Sequence, residues 1–234
     1  MTLEDFKNGQ YLLIDKPLTW SSFAVVKRVR NIICKKFNEK KIKVGHAGTL
    51  DPLATGLLIL CTGKMTKSIE EFQAQEKEYI AQIRLGATTP SFDGETQIDK
   101  ESDYSYVTEE IIKNSIKKFI GDIDQIPPTF SAKYIDGERA YKKARTGETV
   151  IMKSNKIKIS SIEILEINLP YVSIKVNCGK GTYIRSLAND IGKDINCGAY
   201  LTELRRTKIG KFDVENAVSL ENFAAQINIS IIEQ

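Results

Sequence analysis

The stretch KVGHAGTLDPLATGLLILCTGKMTK, residues 43–67, joins a glycine-rich loop to an unbroken apolar run, with one carboxylate, Asp51, standing before Pro52. A short apolar run behind a loop predicts a buried strand, LLILC at 57–61. Pro52 steers Asp51 away from helical dihedrals. Gly45, Gly48 and Gly56 permit close backbone approach by a large partner. Two readings of Asp51 follow. It is a turn residue bonding its own backbone, or a carboxylate held over a dry floor with an open side, suited to act as nucleophile or base.

Outward from this stretch, QYLLID (10–15) predicts a strand. SSFAVVKRVRNIICKKF (21–37) predicts a helix capped by Ser21 or Ser22, with Val25, Val29, Ile32 and Ile33 on one face. KEYIAQIRLG (77–86) alternates, with Tyr79, Ala81, Ile83 and Leu85 on one side. Residues 87–106 form a polar loop or hairpin. TEEIIKNSIKKFIG (108–121) predicts an amphipathic helix ending at Gly121. Residues 122–148 begin with an extended Pro-Pro element and end in a short basic helix. KIKISSIEILEI (156–167) and YVSIKVNC (171–178) are strands, and GKGTYIRSLANDIGKD (179–194) is a turn feeding a helix capped by Thr182. Helices and strands mix without regular βαβ alternation, which predicts an α+β domain with a mixed, mostly antiparallel sheet.

The chain has 234 residues, 41% of them hydrophobic, enough for a single well-buried domain spanning 1–234. Its net charge of +4 is compatible with a polyanionic partner. Four scattered cysteines and one histidine, His46, give no metal-ligand spacing and suit a reduced, cytoplasmic protein. No signal peptide or membrane-spanning stretch is predicted. Glycosidase chemistry lacks a second local carboxylate. CTGKMT and CGKGT are poor matches to a phosphate-binding loop.

Four blocks, in order, carry a resemblance: GHAGTLDPLATGLLILCTGKMTK, KEYIAQIRLGATTPSFDGE, IPPTFSAKYIDGERAYKKARTGE and CGKGTYIRSLANDIGKDINCGAYLTELRRTKIG. Together they resemble the TruB class of tRNA pseudouridine synthases over most of the chain. The resemblance implies a mixed, mostly antiparallel sheet flanked by helices, with a central RNA-binding cleft. It implies isomerisation of the T-loop uridine of tRNA, U55, to pseudouridine after the base is flipped out, with no cofactor and no metal.

On the matching positions, the resemblance makes Asp51 the catalytic aspartate and Arg185 the cation paired with it. Tyr79 becomes the aromatic stacked on the flipped base. Tyr183 and Leu204 line the pocket, and His46 contacts the RNA. Lys64, Lys67, and the basic clusters 139–145 and 205–211 are then candidates to meet phosphates. The family's S-A-x-K pattern places lysine where Tyr134 stands here, with Lys133 one position earlier. The partner implied is the tRNA T stem-loop, met by a monomer. A C-terminal PUA-type domain is expected to be absent. The competing readings are a non-catalytic tRNA-binding or folding chaperone on the same fold and a guide-dependent ribosomal RNA enzyme of the dyskerin type.

Overall fold

The computed structural model describes residues 1–227 apart from 132, 136, 147, 149 and 150. Along the chain come helix α1 (Leu3–Asn8), strand β1 (Tyr11–Lys16), helix α2 (Ser22–Phe37), β2 (Val44–His46), β3 (Ala54–Thr62), a 3-10 turn (Gly63–Ser68), α3 (Ile69–Ala74) and β4 (Lys77–Leu85). Then follow β5 (Ala87–Thr88), β6 (Lys100–Glu101), α4 (Glu109–Lys117), β7 (Gly121–Gln125), β8 (Tyr134–Ile135), β9 (Glu138–Arg139) and α5 (Ala140–Arg145). The last third holds β10 (Asn155–Asn168), β11 (Tyr171–Cys178), α6 (Ile184–Ile195), β12 (Ala199–Ile209), β13 (Phe212–Asp213), a 3-10 turn (Val214–Asn216) and α7 (Leu220–Gln226). This is the mixed, mostly antiparallel sheet with helices that the sequence predicts.

Two compact units divide the chain: Met1–Tyr79 with Leu204–Gln234, and Ile80–Glu203. In the first, the strand order is β1-β3-β12-β4, with β2 on β3 and β13 on β12. β1 and β2 run antiparallel to β3, and β12 runs parallel to it, Leu204 opposite Ala54 and Arg206 opposite Gly56. The apolar run of β3 shows no alternation because both its faces are covered. Leu58 and Leu60 join α2 and α7 through Val25, Val29, Ile33 and Phe223. Leu57, Ile59 and Cys61 pack with Ile209, Phe212 and Val214. Ser21 caps α2, its hydroxyl accepting from the Ala24 amide at 3.1 Å.

In the second unit the order is β12-β4-β11-β10-β7. Tyr79 belongs to the first unit, but Ala81, Ile83 and Leu85 continue its buried row along β4. β10 and β11 pair antiparallel, Ile164 opposite Ile174. The apolar face of α6 is buried through Ile184, Leu187, Ala188 and Ile191, and Lys118 pairs with Asp194 at 2.9 Å.

Three local expectations are corrected. α4 ends at Lys117, and Gly121 instead opens β7, whose alternating charged residues hid a strand. The strand behind the Asp51 loop begins at Ala54, not at Leu57. Tyr183, not Thr182, is the N-cap of α6. The Thr182 hydroxyl donates to the Gly179 carbonyl at 3.1 Å, closing the turn ahead of the helix.

Candidate functional site

Asp51 lies between β2 and β3, half-buried, on a loop whose carbonyls are anchored in succession. The Gly48 and Thr49 carbonyls accept from the two terminal nitrogens of Arg206 at 3.3 and 3.5 Å. The Leu50 carbonyl accepts from the Ser22 hydroxyl at 3.0 Å, and that hydroxyl accepts from the Leu50 amide at 2.8 Å. The Asp51 carbonyl closes a turn onto the Ala54 amide at 3.0 Å, and the Pro52 carbonyl accepts from the Thr19 amide at 2.8 Å. Every carbonyl from 48 to 52 is therefore bonded, so the backbone that aims the Asp51 side chain is fixed. The Asp51 backbone is part of this turn, as its carbonyl bond to Ala54 shows.

Two buried cations hold this loop from either side. Lys16 is fully buried, and its ammonium donates to the carbonyls of Pro17 at 2.8 Å, Trp20 at 2.7 Å and Pro52 at 3.3 Å. Burial lowers its pKa to about 8, with Asp51 and Asp15 opposing that shift and Arg206 adding to it. Arg206 is 1% exposed, and its Nε donates to the Leu57 carbonyl at 2.7 Å. The expectation that cluster 205–211 meets phosphates fails at this residue, because Arg206 is used inside the protein. Arg205 forms a forked pair with Asp15 at 2.7 and 3.1 Å. Neither Lys16 nor Ser22 stood out as a site residue in the sequence, although Lys16 directly precedes Pro17 in the DKP turn.

Gly48 has room, since a Cβ there would meet only the Arg206 guanidinium at 3.9 Å, but Gly45 and Gly56 differ from expectation. A Cβ on Gly56 would lie 2.3 Å from the Arg206 carbonyl oxygen, and one on Gly45 would lie 2.7 Å from the Ile69 side chain. The close approach they allow is by the protein's own chain.

The first unit also carries His46, Lys67, Tyr79 and Leu204. His46 ends β2, and its pKa is lowered by burial and then by Arg206, so the imidazole is neutral at pH 7. Lys67 is exposed on the 3-10 turn. Tyr79 and Leu204 are buried on β4 and β12, each 9% exposed.

The second unit carries Tyr183 and Arg185. The Tyr183 amide donates to Gln125 at 2.8 Å, and its carbonyl accepts from the Gln125 side chain at 3.1 Å. Arg185 is 4% exposed. Its guanidinium donates to the Phe130 carbonyl at 3.1 Å and the Ser91 carbonyl at 3.3 Å, and sits 3.5 Å from the Asp93 carboxylate. Lys133 donates to Asn155 at 2.8 Å. Among the described residues no cluster of His, Cys, Asp and Glu could hold a metal ion, and no helix is long and apolar enough to cross a membrane.

This α+β fold has counterparts among solved structures. The chain is similar to a structure described as an H/ACA RNP bound to a substrate RNA containing 2'-deoxyuridine, with TM-score 0.68 and 28% identity over 94% of this chain. This chain spans about half, 53%, of that structure's chain. Residues 35–184 match the family model "TruB family pseudouridylate synthase (N terminal domain)". Residues 185–230 match "tRNA pseudouridylate synthase B C-terminal domain". Curated relatives include tRNA pseudouridine synthase B of Phocaeicola vulgatus, 54% identical over 98% of both chains. The protein of the same description from Flavobacterium johnsoniae is 53% identical over 95% of this chain and 98% of its own. The chain belongs to the TruB family of pseudouridylate synthases.

Proposed function

We propose that the chain isomerises the T-loop uridine of tRNA, U55, to pseudouridine, with Asp51 as the reacting carboxylate. The observation that carries this reading is the locked loop: five consecutive bonded carbonyls aim one half-buried carboxylate in a chain of this family. In the reaction the bond from uracil N1 to ribose C1′ breaks, the base turns over, and a bond from C5 to C1′ forms. The proton lost from C5 is balanced by one gained at N1, so nothing is consumed and no cofactor is called for. Asp51 acts on the target nucleotide as nucleophile or base, and positioning is what the protein adds.

In this reading the uridine is extruded from the T stem-loop. Tyr79 is the aromatic partner of the flipped base, worth about 1–3 kcal/mol, and Leu204 is an apolar wall. His46, being neutral, contacts RNA without adding charge, and Lys67 meets a phosphate. Arg185 and Tyr183 stay as candidates for supporting the reaction on their match to the family motif. One copy of the chain suffices.

The test is mass-spectrometric mapping of pseudouridine in an unmodified tRNA transcript incubated with the protein. Product at U55 is expected with the wild type and none with Asp51→Asn, whose RNA affinity stays within a few-fold. Tight binding by the wild type without any product would make the chain a non-catalytic tRNA binder.

A further inference from the structure

We propose that the turn at residues 17–21 and the head of α2 form a stacking platform for unpaired RNA bases next to the extruded uridine. The inference rests on the tRNA reading of the Asp51 site. It starts from an exposure that stability does not explain. Leu18 is 54% exposed, Phe23 65%, and Trp20 and Leu53 36% each. None of the four belongs to the two core clusters described above, those packed around Leu58 and around Leu57.

This apolar surface is held in place. Thr19 has φ +68°, a left-handed conformation rare for a β-branched residue and tolerated only where surrounding contacts enforce it. Those contacts are at hand. Lys16 grips the carbonyls on both sides of Thr19, those of Pro17 and Trp20, and also that of Pro52. The Thr19 amide donates to the same Pro52 carbonyl at 2.8 Å. The turn is thus bonded to the residue that follows Asp51, and Leu53 is the next one along. Ser22, at the start of α2, bonds Leu50 on the other side of Asp51. The platform and the Asp51 loop are one bonded assembly.

The occupant follows from charge. Helix α2 carries Lys27, Arg28, Arg30, Lys35 and Lys36 and no acidic residue. Phe23 and Lys27 stand four residues apart and share a face of the helix. Exposed aromatics interleaved with cations suit single-stranded nucleic acid, whose bases stack while its phosphates pair. A second copy of the chain would bring like charges together. Extrusion of one base leaves its neighbours without a stacking partner, and these neighbours are the bases the platform takes.

Trp20 is the only tryptophan of the chain, so tryptophan emission, excited at wavelengths that tyrosine does not absorb, reads this surface alone. A T stem-loop RNA is titrated into the Asp51→Asn variant, which removes turnover as a complication. Tryptophan emission should be quenched, saturating at the RNA concentration where fluorescence anisotropy of labelled RNA saturates. In the wild-type background, Trp20→Ala with Phe23→Ala should raise KM at least 10-fold while kcat falls far less. RNA binding with unmoved Trp20 emission, or an unchanged KM in the double variant, overturns the platform even where pseudouridine still forms. Absence of pseudouridine with intact quenching would instead remove the proposed reaction and leave the platform standing. Self-association that is lost in Phe23→Ala would assign the surface to a second copy and overturn the proposal.

Discussion

Gly56 and Arg206 lie opposite one another in the parallel register of β3 and β12, so close that the backbone of Arg206 occupies the space of a Gly56 side chain. A Cβ there would lie 2.3 Å from the Arg206 oxygen and 2.8 Å from its nitrogen, and Gly56 has φ +104°. Gly56→Ala must push the two strands apart and distort the grip of Arg206 on the loop. A loss of about 3 kcal/mol or more is expected in urea unfolding. A midpoint equal to that of the wild type would show that the strand pair yields easily.

Arg206→Lys keeps the charge and loses the fork that reaches Gly48, Thr49 and Leu57 together. Because the loop aims Asp51, kcat for pseudouridine formation should fall roughly 100-fold, the cost of a small misplacement, with RNA affinity within a few-fold. A raised KM with unchanged kcat would return Arg206 to the phosphate contacts from which its burial removes it.

Much of this was legible in the sequence, and the remainder was not for a physical reason. Val25, Val29, Ile32 and Ile33 gave α2 through helical spacing, and Tyr79, Ala81, Ile83 and Leu85 gave β4 through alternation. Asp51 was visible through its neighbour Pro52. What holds Asp51 was hidden, because Lys16 and Arg206 reach backbone carbonyls 36 and 149 residues away. A carbonyl has no sequence signature, and isolated lysines and arginines read as solvated. Gly56 in the sequence signals only a close backbone approach, and the register with Arg206 shows what makes it.

Lys16 makes stability depend on pH. Its folded pKa of about 8 lies below its ordinary value of 10.5, chiefly through burial. Between these values the unfolded chain holds a proton that the folded chain has lost, so stability rises with pH across this window and is flat below it. Relative to Lys16→Met, the wild type should gain up to about 3 kcal/mol from pH 8 to 10.5. Urea unfolding of both proteins at several pH values measures this. A constant difference would mean that Lys16 titrates as a solvated lysine.

Arg185→Met removes the guanidinium 3.5 Å from Asp93, a carboxylate 5% exposed, and takes donors from the Phe130 and Ser91 carbonyls. Removing the cation beside a buried carboxylate costs roughly 3 kcal/mol. Thermal unfolding should therefore show a clear loss, whatever happens to turnover. An unchanged melting temperature with abolished turnover would make Arg185 purely a reaction residue.

The sequence separation of 149 between Leu57 and Arg206 also sets a clock. On the ribosome, at about 5–20 residues per second, roughly 8–30 s separate the emergence of the Asp51 loop from that of its arginine. Through that interval the nascent loop has Lys16 and Ser22 but not Arg206, and the parallel neighbour of β3 does not yet exist. Asp51 is thus born early and aimed late, its final alignment waiting for β12 to be made.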